Sequence, residues 1–327
     1  MSDRPLLSII LIAYNHEKYI RRALESIIMQ RTDFPFEVLV AEDCSTDSTP
    51  SILKEYAARR PDIFNLILHS QNVGVVRNSR DARKRCRGKY IAVLEGDDYW
   101  TDPLKLQKQF DFMESHPDFS ACAHEISFID DDGNEREGFA FDHFTKEQVC
   151  TIADVEKGLH AGQSSTLMYK NVFLSFTEQQ DEDYCACECI PDLKLMLLLT
   201  LYGPVFRINE AMSAYRYVTT SDSASWSAYS HNNNLSLSYF KWADECVKMA
   251  DKVFGRKIEF RKYRIDVGYH AWVELLKNPT RENAEIFAEV FGKSKNKTAV
   301  IARIITGTLS YPIRKIKKAI RRNYKIL

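Results

Sequence analysis

The sequence predicts an α/β fold with a doubly wound, mostly parallel sheet and a helical C-terminal extension. Strand and helix patterns alternate through roughly the first hundred residues and are joined by short segments. The first strand segment is a continuous apolar run, which is typical of a parallel strand covered by helices on both faces. From about residue 230 onward, the chain has the composition and spacing of charged helices.

Four strands and three helices are predicted in the alternating half. The predicted strands are residues 7–14, 36–41, 64–68 and 89–94. The first helix has its apolar face within residues 20–28, with Asn15 as its predicted N-cap. The second begins with Thr49 as N-cap and Pro50 at the first helical position, and the third covers residues 78–86.

The pattern becomes less regular in the later part of the chain. Asp102 and Pro103 predict the start of a helix, and residues 120–129 predict a strand. We interpret the acidic cluster at residues 130–134 as a solvated hairpin tip in preference to a cation site. Residues 163–169 are predicted to form a further strand.

Composition excludes several classes of protein. The 327 residues include 45 basic and 45 acidic side chains, so no global positive field favours nucleic acid. The sequence contains no run of about 18 apolar residues, which excludes an ordinary membrane-spanning helix. The apolar segment 6–14 lacks the basic lead and cleavage pattern of a signal peptide. We therefore interpret it as a buried strand and expect a cytoplasmic protein.

Eight cysteines are scattered along the chain. Without an export signal, reduced thiols are expected rather than disulfides. The tightest group is Cys185, Cys187 and Cys189, whose alternate spacing differs from the C-x₂₋₄-C pairs of zinc sites. We interpret these three as unliganded thiols.

Acidic side chains follow two of the predicted strands. Glu42 and Asp43 come at the end of the second strand, and Glu95, Asp97 and Asp98 come at the end of the fourth. Ligands bind beyond the carboxyl ends of the strands in open parallel sheets, so these side chains are expected to meet at the binding edge. Because gathered like charges repel one another, the arrangement predicts a divalent cation, Mn²⁺ or Mg²⁺.

Two phosphate-binding motifs are missing from the sequence. It contains no G-x-x-x-x-G-K-[ST] loop, and no G-x-G-x-x-G follows the first strand. A nucleotide on this sheet would therefore have its phosphates neutralised by a carboxylate-held metal rather than cradled by glycine backbone. This argues against a P-loop kinase and against a dinucleotide dehydrogenase.

Three segments together resemble the family 2 glycosyltransferases of the GT-A fold. They are residues 8–15 (SIILIAYN), 41–47 (AEDCSTD) and 88–100 (GKYIAVLEGDDYW). Each segment alone is a weak signal, but the three occur in the family's order and spacing at the ends of predicted strands. The resemblance covers roughly residues 6–218.

The resemblance implies a division of the chain into a catalytic domain and an extension. A GT-A glycosyltransferase domain is expected at residues 1–220. Its nucleotide-binding half would be residues 1–115, and its acceptor-binding half would be residues 116–220. The helical C-terminal extension would then occupy residues 221–327.

The resemblance also implies which residues bind the donor. The expected nucleotide-binding residues are Ala13, Tyr14, Asn15, Asp43, Asn72, Gly74, Arg77 and Asp97. Ala13 and Tyr14 would line the base pocket, and Asp43 would hydrogen-bond the uracil ring. Asp97 and Asp98 match the metal-binding motif, with Asp98 expected as the direct ligand and Asp97 nearer the ribose and diphosphate. Glu95 stands where the family commonly has aspartate.

Further residues are implied on the acceptor and diphosphate side. Residues 163–168 resemble the strand beside the acceptor, which places Ser165 and Thr166 there. Tyr215 and Arg216 resemble a motif that usually carries a histidine two residues after the arginine. Val218 stands at that position, so either Arg216 compensates for the lost histidine or this loop makes no contact with phosphate.

Asp192 is the expected catalytic base. Pro191 and Asp192 precede the apolar run 193–201, which predicts a buried helix that starts there. A helix N-terminus favours the ionised form of a carboxyl group. From the residues alone, Asp192 is more simply interpreted as a helix cap; the resemblance implies that it is the base, with Glu188 as the fallback.

The activity implied by the resemblance is inverting, metal-dependent transfer of a hexose from a UDP-sugar, although a dTDP-sugar remains open. The acceptor would be a saccharide or a lipid-linked saccharide in cell-surface polysaccharide synthesis. A sugar-nucleotide pyrophosphorylase is one alternative, but it requires an N-terminal glycine-rich loop with a basic signature, which is missing. A non-catalytic nucleotide-sugar-binding or scaffold subunit is the other, and the retained aspartates argue against it.

Residues 311–327 form a predicted basic amphipathic helix. Apolar side chains recur there at helical spacing among seven basic residues, with no acidic residue. Such a helix suits an anionic membrane surface. We therefore expect peripheral association with the inner face of the plasma membrane; a solvated terminal helix and an RNA-binding tail are the alternatives.

Overall fold

A mixed sheet forms the centre of the computed structural model, which describes residues 5–139, 141, 143–219 and 225–307. The strands are β1 (Leu7–Ala13), β2 (Phe36–Glu42), β3 (Phe64–Leu68), β4 (Tyr90–Glu95), β5 (Tyr99–Trp100), β6 (Ala121–Ile129), β7 (Val149–Cys150), β8 (Met168–Lys170) and β9 (Val205–Arg216). The helices are α1 (Ile20–Ile28), α2 (Thr49–Arg59), α3 (Val75–Arg83), α4 (Lys105–Ser115), α5 (Ile152–Val155), α6 (Glu178–Ala186), α7 (Pro191–Tyr202), α8 (Trp226–Asn232), α9 (Ser236–Phe254), α10 (Arg261–Lys277) and α11 (Arg281–Lys293).

The strand order across the described sheet is β3-β2-β1-β4-β8-β6-β9-β5, with β7 paired to β9. The first four strands in that order are parallel, as the sequence predicts. The short strand β8 is antiparallel to both β4 and β6, whereas β6 and β9 are parallel. In register, Ala13 pairs with Glu42 and Ile12 pairs with Glu95, so three strands end side by side at one edge.

Helices cover both faces of the sheet, which explains the continuous apolar runs of the strands. In β1, Ile9 and Leu11 pack into one buried cluster, which also contains residues of α1, α2 and α4. Ile10 belongs to a second cluster on the opposite face, with residues of α3, α7 and α9. Since successive strand side chains point to opposite faces, a strand buried on both faces must be apolar at every position.

The C-terminal helices share this second cluster. Ala243, Cys246 and Met249 of α9 lie with Leu193 of α7 and with the sheet. The proposed boundary near residue 220 therefore separates two parts of one continuous core. None of the described helices is both long and apolar enough to cross a membrane. The predicted amphipathic tail 311–327 lies outside the described residues.

Several predicted element boundaries were wrong. Asn15 does not cap α1, whose N-cap is Tyr19. Instead, Asn15 has a positive φ of 55° and its side-chain oxygen accepts the N–H of Thr46. The second helix starts one residue earlier than expected, with Ser48 as N-cap. The third begins three residues earlier, directly after Gly74.

Two further differences concern the second half of the chain. The helix predicted after Asp102 begins at Lys105, because the Asp102 carboxylate accepts the N–H of Leu104 ahead of the first turn. Much of the predicted strand 163–169 is a 3-10 turn at Ser164–Thr166, and strand pairing starts at Met168. This turn brings polar side chains toward the end of β4.

Candidate active site

Four carboxylates converge where β4 ends. Glu95 is the last residue of β4, Asp97 and Asp98 lie in the turn that follows, and Asp192 lies in the first turn of α7. The turn is tight because the Asp98 N–H donates to the Glu95 carbonyl at 3.1 Å. Gly96 is required within it, since a Cβ there would lie 2.6 Å from the Nδ1 atom of His16.

Asp98 is buried and held by two donors. Its side chain accepts the Arg216 N–H at 2.9 Å and the Gln163 side-chain amide at 3.4 Å. Burial, followed by the charges of Asp97 and Glu95, raises the pKa of Asp98 well above its usual range. Gln163 is therefore part of the candidate site through its contact with Asp98, which the sequence had identified.

Asp97 differs from Asp98 in being partly exposed. Its backbone carbonyl accepts the Arg216 Nε–H at 3.1 Å. Within the described part of the chain, no hydrogen bond or ion pair engages its carboxylate. Of the two aspartates, Asp97 is therefore the one whose carboxylate oxygens are available to a ligand. The expectation that Asp98 is the direct metal ligand stays a prediction.

Ser164 links the remaining two carboxylates. Its backbone N–H donates to Asp192 Oδ1 at 3.0 Å, and its hydroxyl donates to Glu95 Oε1 at 2.9 Å. Burial, with the charges of Asp192 and Asp97, raises the pKa of Glu95 to about 8. Burial also raises the pKa of Asp192, and the Ser164 donors oppose that shift. The fallback base, Glu188, has an exposed side chain.

Ser165 and Thr166, which are expected on the acceptor side, lie inside the turn, and their contact with an acceptor stays a prediction. Both are completely buried. The Trp100 indole donates to the Ser165 carbonyl at 3.0 Å, and the Thr166 hydroxyl donates to the Gln163 carbonyl at 2.7 Å. They support the 3-10 turn, so of its three hydroxyl residues Ser164 is the one that contacts the carboxylates.

Arg216 holds the aspartate turn against the hairpin that follows β6. Its Nη1 donates to the Asp130 and Asp131 carbonyls, each at 2.8 Å, in addition to the Nε contact with Asp97. The guanidinium also stacks on the ring of Tyr19, 4.1 Å from its centroid. These contacts make Arg216 a clamp for the turn, which leaves few of its donors for a diphosphate.

Tyr215 lies beside the same cluster. Burial, together with the charges of Asp98, Glu95, Asp97 and Asp192, raises its pKa well above the usual value. Its phenol is therefore protonated at neutral pH and can serve as a hydrogen-bond donor. The hairpin at residues 130–134 is a tip as predicted, since the Asp130 carboxylate accepts the Asn134 N–H at 2.8 Å.

The expected nucleotide residues gather at the ends of β1 and β2. Asp43 is buried and its carboxylate accepts the N–H groups of Val73 and Gly74, at 2.7 and 2.9 Å. Asn72 donates its side-chain amide to the Asp43 carbonyl at 3.3 Å. Asp43 thus fixes the loop that precedes α3, and its expected contact with uracil stays a prediction.

Tyr14, Asn15 and Arg77 are exposed around this loop, whereas Ala13 is fully buried. Asn15 nevertheless has a defined role, because its side chain holds the backbone of Thr46 and its N–H donates to Ser45. Asn72 is exposed as well, but like Asn15 it uses its side chain to hold backbone, so Tyr14 and Arg77 are the exposed members of the predicted set that do not hold this loop.

The carboxylates fit a divalent ion whose ligands come partly from the protein and partly from a diphosphate. The described residues contain no group of three or more His, Cys, Asp or Glu side chains placed to hold a metal by themselves. Magnesium is commonly held by one or two carboxylates with substrate phosphates completing its shell. The free oxygens of Asp97 and the adjacent Asp98 provide such a partial set.

Comparison with known proteins identifies the family. The sequence profile described as "Glycosyl transferase family 2" matches residues 8–173, which is half of the chain. An uncharacterized protein of Mycobacterium tuberculosis, Rv1520, is 51% identical over 127 residues, covering 39% of this chain and 37% of that protein. The chain thus spans well under half the length of this relative. TuaG of Bacillus subtilis, a putative teichuronic acid biosynthesis glycosyltransferase, is 28% identical over 69% of this chain and 84% of its own length.

Solved structures agree at the level of the fold. Residues 1–349 of Staphylococcus aureus TarS, in complex with UDP-GlcNAc, align with a TM-score of 0.60 and 18% identity, covering 88% of this chain and 79% of that one. The mannosyltransferase PcManGT of Pyrobaculum calidifontis, in complex with GDP-Man and Mn²⁺, aligns with a TM-score of 0.52 and 16% identity over 96% and 84%. By its sequence profile and its GT-A fold, the chain belongs to glycosyl transferase family 2.

Proposed function

We propose that this protein is an inverting, metal-dependent glycosyltransferase that moves a hexose from a UDP-sugar to a saccharide or lipid-linked saccharide. We further propose that it acts in cell-surface polysaccharide synthesis, on the cytoplasmic side of the membrane. Membership of the family supports glycosyl transfer. The similarity to TuaG, a putative teichuronic acid biosynthesis glycosyltransferase, supports a polysaccharide product. The similarity to the UDP-GlcNAc complex of TarS supports a nucleotide-sugar donor.

One observation carries the proposal. A half-buried carboxylate at a helix N-terminus, Asp192, is connected through Ser164 to the end of β4, where the metal-motif aspartates begin. A group that could accept a proton therefore lies beside groups that could bind a charged donor. Hydrolysis of glycosides needs a second carboxyl group to protonate the leaving oxygen, but a diphosphate leaving group does not.

In the proposed mechanism, Asp97 and Asp98 would hold the metal ion, with Asp97 supplying the free oxygens. When bound, such an ion stabilises the negative charge that develops on a departing diphosphate. The acceptor hydroxyl attacks the anomeric carbon, and its proton passes to Asp192. Displacement in a single step inverts the anomeric configuration.

The second-half residues take supporting roles in the proposal. Ser164 fixes the orientation of Asp192 through its N–H, and Arg216 fixes the aspartate turn through its guanidinium. On the donor side, Tyr14, Asn72 and Arg77 border the nucleotide, with Asp43 supporting their loop.

A nucleotide-sugar screen tests the proposal directly. The purified full chain is incubated with UDP-, dTDP- and GDP-sugars, and released nucleotide is measured with Mn²⁺ and with a chelator. Metal-dependent release with one donor class is expected. Donor binding without release would favour the non-catalytic alternative, and formation of nucleotide-sugar from a nucleoside triphosphate and a sugar phosphate would favour the pyrophosphorylase.

A further inference from the structure

An apolar cavity of about 120 Å³ lies beneath α3, on the sheet face opposite α1. Its floor is formed by Ile10, Ile12 and Val93 of the central strands, and Val76 and Ser79 of α3 form its outer wall. Helices α6 and α7 close the far side.

One end of the cavity opens onto the proposed active site. Glu95, Ser164 and Pro191 line that end, and Asp192 is the residue that follows Pro191. The Ser164 hydroxyl and N–H, which bind Glu95 and Asp192, mark the boundary between polar and apolar surface. A ligand whose hydroxyl approaches Asp192 therefore has apolar space immediately beside it.

The charged side chains that border the cavity are already satisfied elsewhere. Arg80 donates to Asp181 at 2.6 Å, and Arg83 pairs with the same carboxylate. Lys194 donates to the Cys187 carbonyl at 3.2 Å. Because each cation is neutralised or bonded, the cavity does not select for an anion. Apart from Ser79, Cys185 and the polar end at Glu95 and Ser164, its remaining walls are aliphatic or aromatic.

Apolar surface also continues outward from the cavity. Val75 and Val76, in the first turn of α3, are 51% and 43% exposed. Two adjacent valines at the solvent-facing start of a helix extend the apolar wall toward the cavity mouth. Apolar surface that is rimmed by polar residues and continuous with a pocket is typical of a ligand-binding groove.

We propose that this cavity binds an apolar aglycone of the acceptor, so that the preferred acceptor is a glycoside carrying an alkyl or prenyl chain rather than a free saccharide. This inference rests on the proposed function, because it places the acceptor hydroxyl at Asp192. The donor diphosphate does not suit the cavity, since Arg80, Arg83 and Lys194 are already paired and cannot balance its negative charge. The acceptor is thus the substrate whose substituent would enter beside the base.

The size of the cavity limits the length of chain it can hold. Each buried methylene is expected to strengthen binding by about 4-fold. A cavity of about 150 Å³ takes a benzene-sized group, so the gain should continue to about six carbons and then level off. A preference with this cut-off distinguishes the cavity from general adsorption, which would strengthen with every added methylene.

Binding of n-alkyl β-D-glucopyranosides, from methyl to octyl, tests the proposal on the full chain by isothermal titration. The expected result is affinity that rises by about 4-fold per methylene to about six carbons. Equal affinity for the methyl and hexyl glycosides would overturn the proposal. A continuous rise through octyl would also overturn it, since the bound chain would then lie outside the cavity.

Ser79 offers a matched pair of variants. Its hydroxyl donates to the Val75 carbonyl of its own helix at 2.6 Å, so Ser79→Ala removes only that bond. Ser79→Phe places a ring in the cavity. The alanine variant should keep the dependence on chain length, and the phenylalanine variant should abolish it. Hexyl glycoside binding by Ser79→Phe at the wild-type affinity would contradict the proposal.

Thiol labelling supplies a readout that needs no variant. Cys185 lines the cavity and is partly exposed, and Cys44, which follows Asp43, is the other partly exposed cysteine in the described chain. With N-ethylmaleimide and peptide mapping, hexyl glucoside should slow labelling of Cys185 and leave Cys44 unchanged. Equal labelling of Cys185 with and without the glycoside would contradict occupancy of the cavity.

The two levels of the proposal fail in different ways. If the protein hydrolyses a donor with Mn²⁺ but binds all the alkyl glycosides equally, the proposed glycosyltransferase function stands and the aglycone site is refuted. Chain-length-dependent binding without turnover of any nucleotide-sugar would retain an apolar ligand site and remove the proposed transfer.

Discussion

Ser164 shows what a single residue contributes to this site. Its N–H and hydroxyl hold Asp192 and Glu95 in one arrangement, although the sequence had pointed to Ser165 and Thr166. The three residues lie in one turn, and only the turn geometry decides which of them faces the carboxylates. Sequence patterns cannot separate adjacent hydroxyl residues when the strand they predict is a 3-10 turn.

The role of Asp192 is tested by Asp192→Asn. The amide keeps an oxygen that can accept the Ser164 N–H but cannot take a proton from the acceptor. Transfer should fall by about 10²- to 10⁴-fold while the Kd of the UDP-sugar changes little. The comparison is with Glu188→Gln, at the exposed alternative, which should transfer normally. Near-normal transfer by Asp192→Asn would show that another group is the base.

Lys105 gives a prediction about stability and pH. Its side chain is completely buried, its ammonium lies 4.0 Å from the centre of the Trp100 ring, and it has no hydrogen-bond partner among the described residues. Burial lowers the pKa of Lys105 to about 7. The unfolded chain, with a pKa near 10.5, then binds more protons between these values, so the free energy of unfolding rises with pH across that window.

The Lys105 contribution should approach a slope of about 1.4 kcal/mol per pH unit within the window. Neighbouring His124 does not obscure it, because burial lowers its pKa from 6.5 to about 3, below the window. Burial raises the pKa of Cys122 from 9.0 to about 12, which opposes the Lys105 slope above about pH 9, so the slope is measured between about pH 7 and about pH 8.5. Urea unfolding of Lys105→Met should show greater stability at pH 7 and a shallower pH dependence. Lys108→Met, which removes a partly exposed lysine, should retain the slope; equal slopes in all three proteins would refute the assignment.

At the scale of secondary-structure elements, the sequence predicted β1 to β4, β6 and the start of α7, but it misplaced the short strand β8 and gave no pairing for it. Strands β1, β2 and β4 are almost wholly buried and mostly apolar, because helices cover both of their faces. The short strand β8 has only three residues, and its pairing with β4 and β6 depends on contacts distant in sequence. The start of α3 was misplaced because Asp43, thirty residues earlier, binds the backbone at Val73 and Gly74.

An ion-pair network joins α3 to α6. Asp181, whose side chain is 6% exposed, pairs with Arg80 and Arg83 of α3. Removing the Asp181 charge leaves the positive charges of Arg80 and Arg83 without their buried partner. Asp181→Asn should therefore lower the free energy of unfolding by about 3–5 kcal/mol. Glu178→Gln is the control, since Glu178 is 67% exposed and should cost less than about 1 kcal/mol. Chemical denaturation of both variants measures the difference, and similar costs would contradict a structural role for the buried pair.

For the whole molecule, the acidic rim formed by Glu95, Asp97, Asp98 and Asp192 and the cavity beneath α3 differ in how far the sequence predicts them. The sequence located the rim, because its carboxylates follow a predicted strand or begin a predicted helix. It could not locate the cavity, whose walls come from the sheet, α3, α6 and α7 together. The clamp by Arg216 was likewise unpredictable, since its partners Asp97 and Asp130 come from two separate turns.

The tail prediction is tested by liposome flotation. The full chain should float with vesicles that contain anionic lipid and less so with neutral vesicles, because its seven basic residues at 311–327 are attracted to negative headgroups. A chain ending at residue 310 should lose this difference. Equal flotation of the two chains would remove the membrane assignment without affecting the site.

The central claim is that rim carboxylates and a diphosphate jointly bind a divalent ion. Electron paramagnetic resonance of free Mn²⁺ measures this directly in the full chain, with and without UDP. The account predicts that UDP tightens Mn²⁺ binding at least about 10-fold, that Asp97→Asn abolishes this gain, and that Asp132→Asn in the exposed hairpin preserves it. Mn²⁺ binding that is indifferent to UDP, or unchanged in Asp97→Asn, would contradict the account.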